Sequence, residues 1–438
     1  MKPTLHQNIS LTIKRLGIHG EGIGDYHGFT VFVEGVLPGE TVTASIKEVR
    51  KNFARAQVIS YEKTSSQRVV PPCPVFGRCG GCQLMHLDYA SQLEAKRQRV
   101  VDSFERIGKI FDVPVAPCVP SPSPLAYRNK IQLPVVLDAT LHMGLYAFNS
   151  HEIVEIEKCY IHCPLGERVF AHVKQILQTH PDPSLRHVII KTAVHTSQVL
   201  VVLVTQGKGS PLLPSIAEKI MESFPEIKGV VQNIHSTPGN VILGETFRTL
   251  AGHGSIVDKI CGMFFKVSPA SFFQVNPSQA ENLYQTALEF CDLKGDETLL
   301  DAYCGVGTLS LILASHVEKV IGVECVPDAI SDAQENAQRN HIKNAAFVCA
   351  AAEDFIGTLS HIDVAVLNPP RKGCELSFLE KLAALKPRRL VYISCDPATL
   401  ARDLAILREK GYQVNAAQPF DMFPQTVHVE TLVQLTLS

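Results

Sequence analysis

The chain has 438 residues, and its 41 Lys and Arg side chains against 43 Asp and Glu give a formal net charge of −2. This balance excludes a protein that coats nucleic acid by charge alone. The charge is unevenly divided, because residues 1–110 hold 15 basic and 10 acidic side chains whereas the remaining residues hold 26 and 33. The basic part is therefore the N-terminal quarter.

The length predicts roughly two to four domains. The longest aliphatic run, 199–204, is far shorter than a membrane-spanning helix, and the first residues do not lead into the apolar stretch of a secretory signal. The 13 cysteines are an odd number, which favours reduced thiols, metal ligands or catalysis over a disulfide framework. We therefore expect a cytoplasmic protein, a monomer with no membrane partner.

Residues 8–60 alternate apolar and polar side chains between glycine-rich turns, which predicts a small β-barrel of the oligonucleotide-binding type. The segment 47–55 places four cations and Phe53 on one hairpin. Such barrels bind RNA with cations that contact phosphates and an aromatic ring that stacks on a base. A solvated turn explains this segment equally well when it is considered alone.

Three thiols follow within ten residues on a glycine-rich turn, at Cys73, Cys79 and Cys82, and a fourth candidate is Cys159. Four thiolates fit either a [4Fe-4S] cluster or structural zinc. We favour the iron-sulfur cluster, since three close cysteines and one distant cysteine are common among such clusters, whereas zinc folds more often use two close pairs. Cys163 competes with Cys159 as the fourth ligand.

The domain organisation follows from the order of the remaining patterns. A helix is predicted over 89–107, and the Pro- and Ser-rich segment 118–124 is typical of a linker. From 127 to about 262 strands and helices mix as in an α+β domain. From 270 onward strands alternate regularly with helices, which predicts a doubly wound, Rossmann-like α/β sheet. We predict three domains, at 1–63, 64–262 and 263–438.

A ligand site is predicted where the first strand of this sheet turns into a helix. The loop 301–308 contains Gly305 and Gly307, and the second strand ends at Glu324. Glycines let the backbone approach a ligand, and a carboxylate at that strand end accepts hydrogen bonds from the hydroxyls of a ribose. The third glycine of a dinucleotide-binding loop is missing, which favours S-adenosylmethionine over NAD. At the fourth strand end, the prolines in 368–371 stiffen a loop where ligands of such sheets bind.

Cys395 follows the fifth strand beside this crevice, and Glu430 lies in an otherwise apolar C-terminal strand. A free cysteine is most often a small buried hydrophobe, and a lone Glu is usually exposed. With a methyl donor, however, the two fit methylation of uracil at C5. A thiolate that adds to C6 makes C5 nucleophilic, and a base must then remove the C5 proton before the thiolate leaves. Cys395 is the expected nucleophile and Glu430 the expected base.

Three further segments are Tyr-Arg-Asn-Lys at 127–130, Ser-Phe-Phe-Gln-Val-Asn at 271–276 and His-Val-Glu at 428–430. With these and the motifs above, nearly the whole chain resembles the bacterial RNA 5-methyluridine methyltransferases, specifically the 23S rRNA (uracil-C5) enzymes that carry an N-terminal TRAM barrel and an iron-sulfur cluster. The resemblance implies an RNA partner, 23S rRNA in the first place. A tRNA target is the alternative, although its usual methylase lacks the barrel and the cluster.

The resemblance also implies roles for individual residues. Phe272 would stack on a uridine that is flipped out of its RNA. Ala351 replaces a polar residue that can contact adenine, so Glu353 and Asp354 are the candidates to take over that contact. The residues expected to contact S-adenosylmethionine are Gln274, Tyr303, Glu324 and Asn368, of which Asn368 stands where relatives often have Asp.

Two other functions stay open. The Asn-Pro-Pro segment resembles the loop that holds an exocyclic amine in amino-group methyltransferases, but Arg371 stands where those enzymes have an aromatic residue, and Cys395 would have no role. A non-catalytic RNA-binding protein with an iron-sulfur redox sensor would need the barrel and the cysteines but not the pair of Cys395 and Glu430. Tritium release from uridine C5 separates the three functions, because only C5 methylation displaces that hydrogen.

Overall fold

The computed structural model describes residues 2–237, 239 and 241–438. Four β-structures follow one another along the described chain: an N-terminal barrel, a central seven-stranded sheet, a two-stranded hairpin and a C-terminal seven-stranded sheet. Along the described part of the chain, none of the helices combines the length and the apolar composition that crossing a membrane requires. The division at 1–63, 64–262 and 263–438 stays a prediction. The barrel and the two seven-stranded sheets each lie within one of these parts, whereas the hairpin spans the boundary between 262 and 263.

The N-terminal barrel consists of β1 (Asn8–Leu16), β2 (Gly22–Tyr26), β3 (Phe29–Val33), β4 (Thr41–Val49) and β5 (Phe53–Lys63). It closes in the order β1-β2-β3-β5-β4, and every second residue of β1 is buried up to Ile13. The basic segment 47–55 forms the β4–β5 hairpin, where the Arg55 guanidinium lies 5.8 Å from the ring centres of both Phe32 and Phe53. The predicted barrel is confirmed.

Helix α1 (Tyr89–Ser103) follows the cysteine-rich segment and continues into a π-helical turn, Phe104–Gly108. The helix predicted over 89–107 is therefore confirmed. Its buried Val100 and Phe104 belong to the same apolar cluster as strands of the C-terminal sheet. Helix α1 thus packs on the C-terminal domain although it precedes the central domain in sequence.

The Pro- and Ser-rich segment 118–124 lies against the C-terminal sheet. The amide of Val119 donates to the carbonyl oxygen of Pro419 at 2.9 Å, and its carbonyl oxygen accepts from the amide of Asp421 at 3.0 Å. The role of this segment as a linker stays a prediction. Prolines that exclude a helix interior or a central strand are compatible with a chain running along a sheet edge.

The central domain contains β6 (Lys130–Leu137), β7 (Leu141–Tyr146), β8 (Ile153–Glu155), α2 (Pro164–Thr179), β9 (Leu185–Ala193), β10 (Gln198–Thr205), α3 (Leu213–Ser223), β11 (Ile227–Ile234) and β12 (Thr246–Gly252). Its strands form one sheet in the order β12-β11-β10-β9-β6-β7-β8. Phe170 of α2 and Ile216 of α3 are buried in one apolar cluster with this sheet. The mixture of strands and helices confirms the predicted α+β character.

A hairpin that was not predicted leads from the central part into the C-terminal part, and an α/β sheet follows. The elements are β13 (Ile256–Ile260), β14 (Met263–Val267), α4 (Pro277–Cys291), β15 (Thr298–Ala302), α5 (Thr308–Ala314), β16 (Lys319–Glu324), α6 (Pro327–Arg339), β17 (Ala345–Cys349), α7 (Ala352–Phe355), β18 (Val364–Leu367), α8 (Leu376–Ala384), β19 (Arg389–Ser394), α9 (Pro397–Glu409), β20 (Tyr412–Phe420) and β21 (Glu430–Leu437).

The C-terminal sheet has the strand order β17-β16-β15-β18-β19-β21-β20. Its first five strands are parallel, which confirms the predicted doubly wound arrangement. Strand β21 lies antiparallel between β19 and β20. The carboxyl ends of the parallel strands and the first residue of β21, Glu430, therefore lie at the same edge of the sheet.

Candidate active site

The loop 301–308 leads from β15 into α5 at this edge. Gly305 (φ 54°) and Gly307 (φ 77°) adopt left-handed backbone conformations, and so does Tyr303 (φ 67°). A side chain at Gly307 would come within 2.9 Å of the ring of Phe347, so this position requires glycine. The loop conformation therefore leaves the backbone accessible to a ligand at this edge of the sheet.

The four residues predicted to contact S-adenosylmethionine come from two parts of the domain. Glu324 ends β16 and Asn368 follows β18, on either side of β15. Tyr303 lies in the loop after β15, and its hydroxyl donates to Glu353 Oε1 at 3.3 Å. The strand order therefore brings these three residues to the same edge of the sheet. Gln274 is buried in a separate segment before α4.

Cys395 and Glu430 lie side by side across two antiparallel strands. The register pairs Ser394 of β19 with Thr431 of β21. Because Cys395 follows Ser394 and Glu430 precedes Thr431, the opposite strand directions place the thiol next to the carboxyl group. Cys395 is partly buried and Glu430 is buried.

The charges of this pair depend on each other and on Arg371. Burial raises the pKa of the Cys395 thiol, the charge of Glu430 raises it further, and the Arg371 guanidinium opposes the rise. Burial also raises the pKa of Glu430 to about 8, again against the charge of Arg371. Two neighbouring anions repel, so the site favours a single negative charge beside Arg371. Sequence reasoning assigned no role to Arg371, although it follows two prolines at the end of a predicted strand.

Cys395 opens into a pocket of about 520 Å³. Phe272, expected to stack on a flipped uridine, is 68% exposed, and it is not among the described residues that line this pocket. None of the four residues predicted to contact S-adenosylmethionine is in that lining either. The pocket is thus distinct from the predicted cofactor site and offers space beside the thiol. Its lining residues are Ile18, His19, Gly80, Gln83, Arg99, Tyr146, Ala147, Phe148, Asn149, Arg371, Cys395, Asp396, Val427 and His428.

The segment 421–429, which leads from β20 to Glu430, is held by helix α1. Lys96 and Asp421 form an ion pair in which both side chains are buried. Arg99 donates to the carbonyl oxygen of Val427 at 2.8 Å. Helix α1 therefore fixes the backbone that carries the predicted base.

The cysteine-rich segment holds the same backbone from another side. The amides of Gln83 and Leu84, directly after Cys82, donate to the carbonyl oxygen of Gln425 at 3.0 and 2.9 Å. Sequence reasoning missed these contacts and those of α1, because the partners lie more than 300 residues apart and no local pattern marks them.

The four predicted metal ligands line one cavity of about 40 Å³, together with apolar side chains such as Met85 and Ile161. Burial raises the pKa of Cys82, and the charges of the other three thiols raise it further. Cys163 is buried at the start of α2 and is not among the described residues that line this cavity. The thiols that share the cavity are Cys73, Cys79, Cys82 and Cys159.

Within residues 2–237, 239 and 241–438, no group of three or more His, Cys, Asp or Glu side chains has the arrangement that would hold a metal ion. Sulfur donors are the ligands of both iron-sulfur clusters and structural zinc, so the chemistry of the four thiols fits either group. The iron-sulfur cluster therefore stays a prediction.

Comparison with known proteins adds independent information. Residues 253–437 match the family described as tRNA (Uracil-5-)-methyltransferase, and residues 5–59 match the TRAM domain. The chain is 42% identical to an uncharacterized RNA methyltransferase of Clostridium tetani, over 98% of this chain and 96% of the relative. It is 40% identical to an uncharacterized RNA methyltransferase of Halalkalibacterium halodurans, over 98% of this chain and 97% of the relative.

Among solved structures, the tRNA (uracil-54, C5)-methyltransferase of Pyrococcus abyssi in complex with S-adenosyl-L-homocysteine is similar with a TM-score of 0.78 and 26% identity. The likeness covers 98% of this chain and 100% of that one. It confirms the predicted methyltransferase fold, and the five-stranded barrel fits the TRAM match. A non-catalytic RNA-binding protein is therefore the wrong interpretation. The chain belongs to the RNA (uracil-5-)-methyltransferase family with a TRAM domain and is an RNA methyltransferase.

Proposed function

We propose that this protein methylates C5 of uridine in RNA, with S-adenosylmethionine as the methyl donor and with Cys395 and Glu430 as catalytic residues. The observation that carries the proposal is the pairing of β19 with β21, which sets a partly buried thiol beside a buried carboxyl group. Arg371 acts on the pKa of both groups and so stabilises the negative charge that either of them carries.

In the proposed reaction, the Cys395 thiolate adds to C6 of uracil, which forms a C6–S bond and places negative charge on C5 and O4. C5 then takes the methyl group. Glu430 removes the proton that remains on C5, and the electron pair of that C–H bond restores the C5=C6 double bond and expels the thiolate. A pKa of about 8 makes Glu430 a stronger base than an exposed carboxylate.

S-adenosylmethionine supplies the methyl group and is released as S-adenosylhomocysteine, the compound bound in the Pyrococcus abyssi structure. The glycine loop and the crevice of Tyr303, Glu324 and Asn368 fit this donor, because Glu324 at the end of β16 can accept hydrogen bonds from the ribose hydroxyls. Glu353, hydrogen-bonded to Tyr303, takes the adenine contact that Ala351 cannot make. Gln274 completes the proposed set.

We propose 23S rRNA as the target, on the resemblance of the whole chain to the enzymes that modify it. A tRNA target is the second candidate, because the Pyrococcus abyssi protein is a tRNA methyltransferase and its likeness covers 98% of this chain, which includes the barrel. The absence of the barrel from the usual tRNA methylase therefore does not exclude tRNA.

We further propose that Cys73, Cys79, Cys82 and Cys159 hold a [4Fe-4S] cluster with a structural role. Their common cavity supports the ligand set, and the bonds from Gln83 and Leu84 connect this segment to the backbone before Glu430. Anaerobic purification followed by iron and sulfide assays tests the cluster. About four iron and four sulfide ions per chain are expected, whereas a single zinc ion would contradict it.

Tritium release from RNA labelled at uridine C5 tests the chemistry. The wild-type protein should release tritium in step with methyl incorporation. Cys395→Ala should abolish methyl transfer and any covalent RNA adduct, whereas Glu430→Gln should form the adduct and release it slowly. Full turnover by Cys395→Ala, or methylation without tritium release, would contradict the mechanism and leave amino-group methylation as the alternative.

Mapping of 5-methyluridine in a strain that lacks the gene identifies the target. Loss of one or more 5-methyluridines from 23S rRNA, with tRNA unchanged, is the expected result. Loss from tRNA alone would transfer the proposal to the second candidate.

A further inference from the structure

The pocket beside Cys395 is larger than the methylation of one ring requires. Its volume of about 520 Å³ lies in the range of pockets that enclose a drug-sized ligand, whereas the reaction involves a single six-membered ring. The part of its lining that lies far from Cys395 in sequence comes from the barrel, the cysteine-rich segment, helix α1 and the central domain. The apolar members of that part include Ile18, Tyr146 and Phe148.

Ile18 lies at the tip of the barrel loop 17–21 and is 63% exposed. Backbone hydrogen bonds hold the loop: the amide of Gly17 donates to the carbonyl oxygen of Glu21 at 2.6 Å, and the amide of Gly20 donates to the carbonyl oxygen of Gly17 at 3.1 Å. A single exposed aliphatic side chain is common on protein surfaces. Here, however, it is held in the wall of the pocket that contains the reactive thiol.

Phe148 lies in the turn between β7 and β8 and is 40% exposed. Its amide donates to the carbonyl oxygen of Arg78 at 3.3 Å, and the amide of Gly80 donates to the carbonyl oxygen of Tyr146 at 2.9 Å. A side chain at Gly80 would come within 3.1 Å of the Phe148 backbone, so the two segments are in close contact. The cysteine-rich segment thus supports an exposed aromatic ring at the pocket wall.

Two guanidinium groups add positive charge to the same pocket. Burial lowers the pKa of Arg99, while the charge of Asp396 raises it and that of Arg371 lowers it. One N–H of Arg99 bonds to Val427, and the group has further donors. Neighbouring cations in a partly buried pocket favour an anionic ligand, and RNA provides a phosphate between every two nucleotides.

We propose that this wall is a subsite for the nucleobase next to the target uridine, where that base stacks on Phe148 and contacts Ile18 while Arg99 contacts the phosphate between the two nucleotides. Stacking on aromatic side chains is the common way in which proteins bind unpaired bases, and it tolerates any base. The subsite rests on the proposed function, since it assumes that a uridine reaches Cys395.

The test uses a short RNA that spans the uridine whose methylation is lost in the deletion strain. Two further copies carry an abasic ribose either directly before or directly after that uridine. Wild-type kcat/KM should fall about tenfold on one of the two abasic RNAs, because one base loses its stacking partner. A wild-type enzyme that tolerates both abasic RNAs without loss would overturn the proposal, whatever the variants do.

Variants locate the effect in the protein. Phe148→Ala should lose about tenfold in kcat/KM on the intact RNA, mainly through KM, and should lose nothing further on the sensitive abasic RNA. Ile18→Ala should show the same pattern with a smaller loss. The matched control is Ile59→Ala on the same barrel, where Ile59 is 55% exposed and is not among the described residues that line the pocket, and it should behave as wild type.

If the loss in kcat/KM caused by Phe148→Ala multiplies with the loss on the sensitive abasic RNA, the ring and the base do not act through one contact, and the subsite is overturned. Wild-type kinetics in both Phe148→Ala and Ile18→Ala would overturn it as well. These outcomes are distinct from failure of the proposed function. If the wild-type protein methylates no uridine C5, the proposed function is wrong. If it methylates the intact RNA normally and only the predicted pattern of losses is missing, the subsite alone is wrong.

Discussion

Two groups of thiols in this protein differ in what surrounds them. Cys395 lies at a strand end, beside a carboxyl group and a guanidinium group, and opens into a pocket of about 520 Å³. The four clustered cysteines line a cavity of about 40 Å³ among apolar side chains, where burial and the charges of the other three thiols raise the pKa of Cys82. A cation beside a thiol favours a reactive anion, whereas several thiolates in an apolar cavity need a bound counter-charge.

The largest difference between the two groups should appear on removal of one thiol. Cys395→Ala should lower methyl transfer by a factor on the order of 10,000 or more, because no other group can add to C6. Cys159→Ala should lower iron content and stability but should still form the covalent RNA adduct. Methyl incorporation and adduct yield on denaturing gels measure the activity of the two variants. The exposed thiol variant Cys349→Ser is the control and should retain wild-type activity.

The next largest effect should come from the buried ion pair that links α1 to the 421–429 segment. Lys96→Met leaves the Asp421 carboxylate buried without its partner, which should lower the free energy of unfolding by about 3–5 kcal/mol. Urea unfolding measures this loss. The double variant Lys96→Met with Asp421→Asn removes both charges and should recover most of it. A double variant as unstable as the single one would show that packing, not charge, is responsible.

A smaller effect is expected from pH. The pKa of Glu430 is about 8, so below that pH the group is mostly protonated and cannot accept the C5 proton. The rate of adduct breakdown should therefore rise with pH up to about 8 and level off above it. Single-turnover measurements of adduct decay test this, with Glu430→Gln as the control that should lose the pH dependence. A rate that falls between pH 7 and 8 would contradict the role of Glu430.

The smallest effects concern the thiol pKa itself. Glu430→Gln removes a neighbouring negative charge and should lower the pKa of Cys395, whereas Arg371→Met removes a positive one and should raise it. The pH dependence of alkylation of the Cys395 peptide, followed by mass spectrometry, measures both shifts. The peptide of the exposed Cys349 in the same sample is the internal control and should not respond to either substitution. Equal shifts at Cys349 would indicate a global change in structure.

Much of the C-terminal domain could be predicted, because its strands are short apolar runs that alternate with helices, a pattern set by neighbours in sequence. The same logic placed Glu324 and Cys395 at strand ends, where the structure also has them. The packing of segment 118–124 against the C-terminal sheet was not predicted, because local composition does not reveal a packing partner. The hairpin of β13 and β14 was missed, since the buried face of β13 includes the charged Asp258, which breaks the apolar alternation.

The sequence by itself determined the barrel, the three-plus-one pattern of cysteines and the residue types needed at the candidate active site. Only the tertiary structure decided that Cys395 and Glu430 are neighbours, because this depends on β21 inserting antiparallel beside β19. It also decided that α1, through Lys96 and Arg99, supports the backbone before Glu430 from more than 300 residues away in sequence. Strand register and burial arise from contacts between distant residues, and these contacts also set the charge state on which the proposed chemistry depends.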